Sequence, residues 1–106
     1  MSKISLNLGT PGEAAPPALP AMYDKLTAAE RRWVREEYVR LQGGNCSHCK
    51  ASLAEKVPRR LPIDERLFPP GFFTHPIHLH HSHASGLTLG AVHCECNAIL
   101  WQYHGE

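Results

Sequence analysis

The residues best equipped for chemistry crowd into the last third of this 106-residue chain. Five histidines occupy the nine positions of His75-Pro-Ile-His-Leu-His-His-Ser-His83. A glycine-containing turn and a short apolar run follow, then His93-Cys-Glu-Cys-Asn97; a separate Cys46-Ser-His-Cys49 pair lies upstream. Imidazole, thiolate and amide groups in this order are metal donors. Imidazole is also the one side chain whose ordinary pKa lets it accept a proton near neutral pH. Together they fit metal-dependent hydrolysis of a phosphodiester beside a structural zinc.

The zinc comes from spacing. Two thiolates three positions apart on a tight turn can reach one ion, which makes Cys46 and Cys49 half of a tetrahedral site. His93-x-x-Cys96 repeats that spacing, so the expected set is Cys46, Cys49, His93 and Cys96. Cys94 in place of His93 is the alternative, although the sulfurs of Cys94 and Cys96 are awkwardly close if both sit at a helix start. Ordinary buried thiols are the bland reading, and two such pairs bracketing a histidine-rich hairpin argue against it.

The elements that must position these residues are few. Thr27-Ala-Ala-Glu30 is a capping box. Val34, Tyr38 and Leu41 recur at helical spacing with Trp33 beside them, so a helix is expected over 24–42, stopped by Gly43-Gly44. Glu36 and Arg40 stand four apart on its outer side. Residues 45–50 read as a turn, 51–56 as one helical turn, and the prolines at 58, 62, 69 and 70 make the connection irregular. The sequence then predicts a strand over 77–83, a turn at 84–86, a strand over 87–92 and a helix over 94–103 ending before Gly105. Strand alternation sends the side chains of His80 and His81 to opposite faces, so one could bind an ion while the other takes a proton. The fold class is α+β. Residues 1–22, rich in proline and glycine, are expected to form a disordered arm, and residues 23–106 the domain.

Eleven Lys and Arg nearly balance ten Asp and Glu, so net charge does not announce a nucleic-acid binder. Their distribution says more. Eight basic residues against three acidic ones fall between Arg31 and Pro62, whereas no Lys or Arg follows Leu67 and seven of the eight histidines do. The first half could hold a phosphate-rich polymer that the second cuts; equally, Arg31 to Arg40 could be the solvated face of a helix. No apolar run approaches a membrane span and no secretory pattern opens the chain. The expectation is a cytoplasmic protein, in whose reducing surroundings four cysteines suit a metal better than disulfides.

From His80-His-Ser-His83 through Gly86, Gly90 and His93-Cys-Glu-Cys96-Asn97, the chain resembles the HNH (ββα-metal, or His-Me finger) endonucleases. Within them it is most similar to the zinc-containing branch of phage junction-resolving and small phage nicking enzymes. The resemblance covers about Cys46 to Trp101, with a longer loop than usual after Cys49, a His at 93 where many members have Cys, and Leu89 where an Arg is common in the junction-resolving ones. It implies a small zinc-stapled ββα-metal domain. By this resemblance His81 is the general base, His83 touches the scissile phosphate, and His80 and Asn97 are ligands of a catalytic ion.

The position filled by Asp in many members is His80 here, and no carboxylate lies between Leu67 and Glu95. Nitrogen ligands favour borderline transition ions over Mg²⁺, so Mn²⁺, Co²⁺ or Ni²⁺ is expected, with Mn²⁺ the one best suited to a cell. The leading expectation is therefore a DNA endonuclease acting on double-stranded DNA, with no membrane partner. A homodimer would let two sites meet two strands, though no residue pattern specifies an interface. Two other classes compete. A non-catalytic zinc module that binds nucleic acid or protein would not need His81 and Asn97, and a histidine-rich metal carrier would not need the helix after Asn97.

Overall fold

The computed structural model describes residues 16–105. It is a small α+β unit in which two α-helices flank a two-stranded antiparallel sheet: α1 (Ala28–Leu41), β1 (Ile77–His81), β2 (Thr88–His93) and α2 (Cys94–His104). Three short 3-10 turns, Tyr23–Lys25, Glu65–Leu67 and Phe72–Thr74, lie in the connections.

Helix α1 starts at its cap, later than hydrophobic periodicity alone suggests. Thr27 is extended and its hydroxyl accepts from the Glu30 N–H (3.1 Å), while the Glu30 carboxylate accepts from the Thr27 N–H (2.8 Å). Asp24 belongs instead to the preceding 3-10 turn. Val34 is wholly buried on the inner face, and Tyr38 packs against the core. Leu41, expected in the same stripe, is 59% exposed at the last turn. Arg40 pairs with Glu37 rather than with Glu36, because the three-residue offset lets its guanidinium meet both carboxylate oxygens.

After Gly43-Gly44 the chain folds into a knuckle. The Cys46 N–H bonds the Ala51 carbonyl (2.8 Å) and Asn45 bridges Ser52. Residues 51–56, expected to form a helical turn, do not: Ser52 and Leu53 are spent on that bridge and on a bond from Leu53 N–H to the Gly44 carbonyl. The connection from Val57 to Pro76 is irregular, as its prolines dictate, and is pinned to α2. Gln102 accepts from the Asp64 N–H (3.0 Å) and the Tyr103 hydroxyl donates to the Pro62 carbonyl (2.6 Å).

The hairpin pairs Ile77 with His93 and continues in register to His80 and Gly90. There it slips: His81 faces Thr88, leaving Leu89 as an unpaired bulge residue, 48% exposed. β1 is shorter than alternation suggested, β2 keeps its length but is shifted by one residue, and Gly86 (φ +79°) turns the chain between them. Gly90 is required by crowding. A Cβ there would stand 2.8 Å from Gln42 Oε1 and 3.0 Å from Ser47 Oγ. Those neighbours close on β2 because the Gln42 amide bonds both the N–H and the carbonyl of Ala91, like a short extra strand.

The core gathers Cys46, Leu53, Ala91, Val92 and Cys96 between knuckle, sheet and α2. Residues 1–15 of the expected arm lie outside the described residues. Its end is docked, since Ala21 is buried, Met22 bridges Leu87 and the Tyr23 N–H bonds the Gly86 carbonyl. Thr88 anchors this strand-like contact, accepting from the Ala21 N–H (2.9 Å) and meeting the Tyr38 hydroxyl (3.0 Å).

Candidate functional site

Cys46, Cys49, His93 and Cys96 converge at one end of the sheet, their donor atoms all within 4.8 Å of one another. Cys46 and Cys49 come from the knuckle, His93 from the exit of β2 and Cys96 from the first turn of α2. His93 Nδ1 lies 3.4 Å from Cys49 Sγ and 3.8 Å from Cys96 Sγ. Donors held about 2.0–2.3 Å from a tetrahedral zinc stand about 3.3–3.8 Å apart, so the spacing fits.

Supporting contacts fit as well. His93 Nε2 donates to the Ser52 carbonyl (2.8 Å), which fixes the tautomer whose Nδ1 lone pair faces the sulfurs. Backbone N–H groups of His48 and Cys49 point at Cys46 Sγ (3.4 and 3.5 Å), as they would at a thiolate. A hydrogen bond from the Cys96 thiol, with backbone N–H groups adding to it, holds Cys46 well below the ordinary thiol range. Cys96 is raised for the complementary reason: ionising a second sulfur beside the first is opposed unless a cation sits between them. This Cys3His cluster could hold a metal ion such as zinc.

Cys94 is not in it. Its thiol donates to Glu95 Oε1 (3.2 Å), and burial first, then the neighbouring Glu95, push it up to about 11. As the first residue of α2, Cys94 turns away from the cluster that Cys96, two positions on, can reach.

The hairpin histidines line a groove of about 740 Å³ between α1, the 3-10 connection and α2. His78, His80, His81 and His83 face it, as does Asn97. His80 is buried, on the same side of β1 as His78 by strand alternation. His78 Nε2 donates to the Phe72 carbonyl (2.9 Å), so its Nδ1 accepts from the Asn97 amide (3.0 Å). Asn97 thus meets His78, a residue to which neither spacing nor resemblance gave a role; its one signal in the sequence is the two-residue offset from His80.

His81 stacks on Tyr23, ring centroids 3.9 Å apart and planes 10° from parallel. Tyr23 is itself braced by Arg31, whose guanidinium lies 3.9 Å over the ring and bonds the Tyr23 carbonyl. Burial is the main cause that lowers the His81 pKa from its ordinary 6.5, with His83 and His80 adding to it. The ring is therefore neutral at pH 7, the form that can take up a proton. His83 is exposed and its ring stands 5.1 Å from that of His81. Tyr23 was invisible to sequence reasoning because it sits where the loose arm was expected to end.

Arg31, Arg32 and Arg35 of α1 line the same groove, and none of its lining residues is acidic. The basic segment and the histidine segment, far apart in the chain, are two walls of one cleft. No helix among the described residues is long and apolar enough to cross a membrane. No protein-family model, curated protein or solved structure matches this chain.

Proposed function

We propose that this chain is a metal-dependent DNA endonuclease of the HNH (ββα-metal) type, stapled by zinc at Cys46, Cys49, His93 and Cys96. The observation that carries the reading is the groove: a ring-stacked His81 and Asn97 share its lining with three arginines and with no carboxylate. A carboxylate-free, arginine-walled cleft suits a polyanion.

In this reading Arg32 and Arg35 hold the phosphate backbone, while Arg31 holds Tyr23 and through it the plane of His81. Water attacks phosphorus as His81 takes its proton; a new P–O bond forms, the bond to the 3′ oxygen breaks, and that oxygen takes a proton from solvent water. The His78 contact uses an Asn97 amide N–H and leaves the amide carbonyl oxygen to serve as a ligand. Asn97 and His80 would hold a divalent ion, with Mn²⁺ suited to that nitrogen-and-oxygen pair, and such an ion supplies charge neutralisation at the phosphate. His83, exposed beside His81, is within reach of the same phosphate.

Incubation of the zinc-loaded protein with supercoiled plasmid and with single-stranded circular DNA, each with Mn²⁺, tests the reading. Wild type is expected to cut, and His81→Ala to lose about 10²- to 10⁴-fold while keeping its fold and its DNA affinity. An equally active His81→Ala protein would refute the assigned base. Binding without any cleavage by wild type would make the chain a non-catalytic zinc module.

A further inference from the structure

The wall of the groove opposite the arginines is aromatic. Phe68, Phe72 and Trp101 line it, with Phe68 4.7 Å from Phe72 and 5.5 Å from Trp101 between ring centroids. Phe72 meets His78 edge to face at 4.5 Å, so this wall runs down to the histidine floor. These rings pack on one another and fasten the 3-10 connection to α2, which is reason enough for a small satellite core. They do not exhaust their surface in doing so, because Trp101 is 40% exposed.

A phosphate held by Arg32 and Arg35 leaves its sugar and base inside a groove that these rings also line. In a perfect duplex the face of every base is covered by its stacked neighbours, so a protein ring can offer it nothing. A base that is unpaired and splayed out exposes a face that aromatic side chains bind. Charge on one side and rings on the other is the arrangement that grips a single strand.

We infer that the groove takes DNA with an unpaired base next to the phosphate bound over His81, the base stacking on Trp101. This deepens the endonuclease reading and rests on it for the position of the phosphate.

The test is equilibrium binding by fluorescence anisotropy, with zinc-loaded full-length protein and no added second ion. The probes are labelled DNA of one sequence as single strand, as perfect duplex and as duplex carrying one bulged base. Wild type is expected to bind the single strand and the bulged duplex more tightly than the perfect duplex. Trp101→Ala should weaken those two by about 5- to 150-fold and leave the perfect duplex unmoved; Trp101→Phe should retain most of the preference. Arg35→Ala should weaken all three. If Trp101→Ala fails to fold, Trp33→Phe leaves Trp101 as the sole tryptophan, and its fluorescence should be quenched by the single strand and not by the duplex.

Tighter binding of the perfect duplex, equal weakening of all three probes by Trp101→Ala, or unquenched Trp101 would overturn the inference. A protein that cuts DNA yet prefers perfect duplex overturns this inference alone. One that prefers unpaired DNA and never cuts overturns the nuclease reading alone, and one that binds no DNA overturns both.

Discussion

The two histidine-bearing regions of this small domain are built on opposite plans. At the knuckle, four donors from three chain segments converge within 4.8 Å, and two are oriented by something behind them: Ser52 behind His93, backbone N–H groups behind Cys46. In the groove, the imidazoles are spread along a cleft and turned toward different partners. His78 faces Phe72 and Asn97, His81 lies on Tyr23, and His83 is out in solvent. Among the described residues, the knuckle is where three or more metal-binding side chains come together. The contrast is that between a closed Cys3His cluster, which could hold a metal ion, and an open groove, whose imidazoles are turned to separate partners. Density of histidine in a sequence is thus a poor guide to where potential metal ligands converge. The richest stretch is the open one, and a single histidine completes the closed one.

The largest effect follows from breaking the closed site. Its ligands join residues 46–49 to residues 93–96, and the core of Cys46, Leu53, Ala91, Val92 and Cys96 is built on that junction. A core so small gains much of its stability from such a staple. Dialysis against a strong chelator, or Cys46→Ala, is expected to abolish cooperative thermal unfolding followed by circular dichroism. Readdition of one equivalent of Zn²⁺ should restore it in wild type alone. A chelated wild type with an unchanged melting curve would show that the cluster does not staple the fold.

How far the sequence revealed each region follows from the range of the signals. The knuckle was legible because it is written twice, as Cys46-x-x-Cys49 and His93-x-x-Cys96, and a tetrahedral ion converts spacing directly into geometry. Hairpin and final helix were legible because Gly86 and Gly105 punctuate them. The groove was legible only in part. That His81 and Asn97 belong to one cleft could be expected, but three contacts that shape it are long-range and leave no local trace. Tyr23 under His81 sits just after the expected arm, where no local pattern places it. His78 against Asn97 depends on the register of β1 against α2, and the Leu89 bulge beside His81 arises where Met22 and Thr88 draw β2 toward the N-terminal segment. Helix boundaries moved for a simpler reason: a cap such as Thr27 outweighs periodicity at the end of a helix.

A middle-sized effect would sharpen what distinguishes the open site. Its proposed ion contacts are His80 and Asn97, a nitrogen and an amide oxygen, with no carboxylate in the groove. On the endonuclease reading, cleavage is expected to run better with Mn²⁺, Co²⁺ or Ni²⁺ than with Mg²⁺ or Ca²⁺. His80→Asp supplies an anionic oxygen and should move the preference toward Mg²⁺, leaving the zinc content at one per chain. Nicking assays across these ions at fixed concentration measure it. Best activity with Mg²⁺ in wild type, or full Mn²⁺ activity in His80→Ala, would remove His80 from the ion.

The smallest effect concerns the joint between the regions. Helix α1 supplies the arginine wall of the groove, and it is fastened to the sheet partly through the Tyr38 hydroxyl, 3.0 Å from Thr88 Oγ1 and 3.3 Å from the Thr88 carbonyl. Tyr38→Phe deletes that hydroxyl and keeps the ring that packs on the core. Thr88 Oγ1 still accepts from the Ala21 N–H and so keeps a partner. The expected cost is therefore that of one ordinary hydrogen bond, about 1 kcal/mol, read from denaturant unfolding with an unchanged slope. Zinc content should not change, because the cluster draws no ligand from α1. If the groove depends on α1 being held at one distance from the hairpin, DNA affinity should fall while the zinc-dependent step in stability stays whole. Loss of zinc together with the hydroxyl would mean that the two regions are one cooperative unit and that the closed site is not self-sufficient.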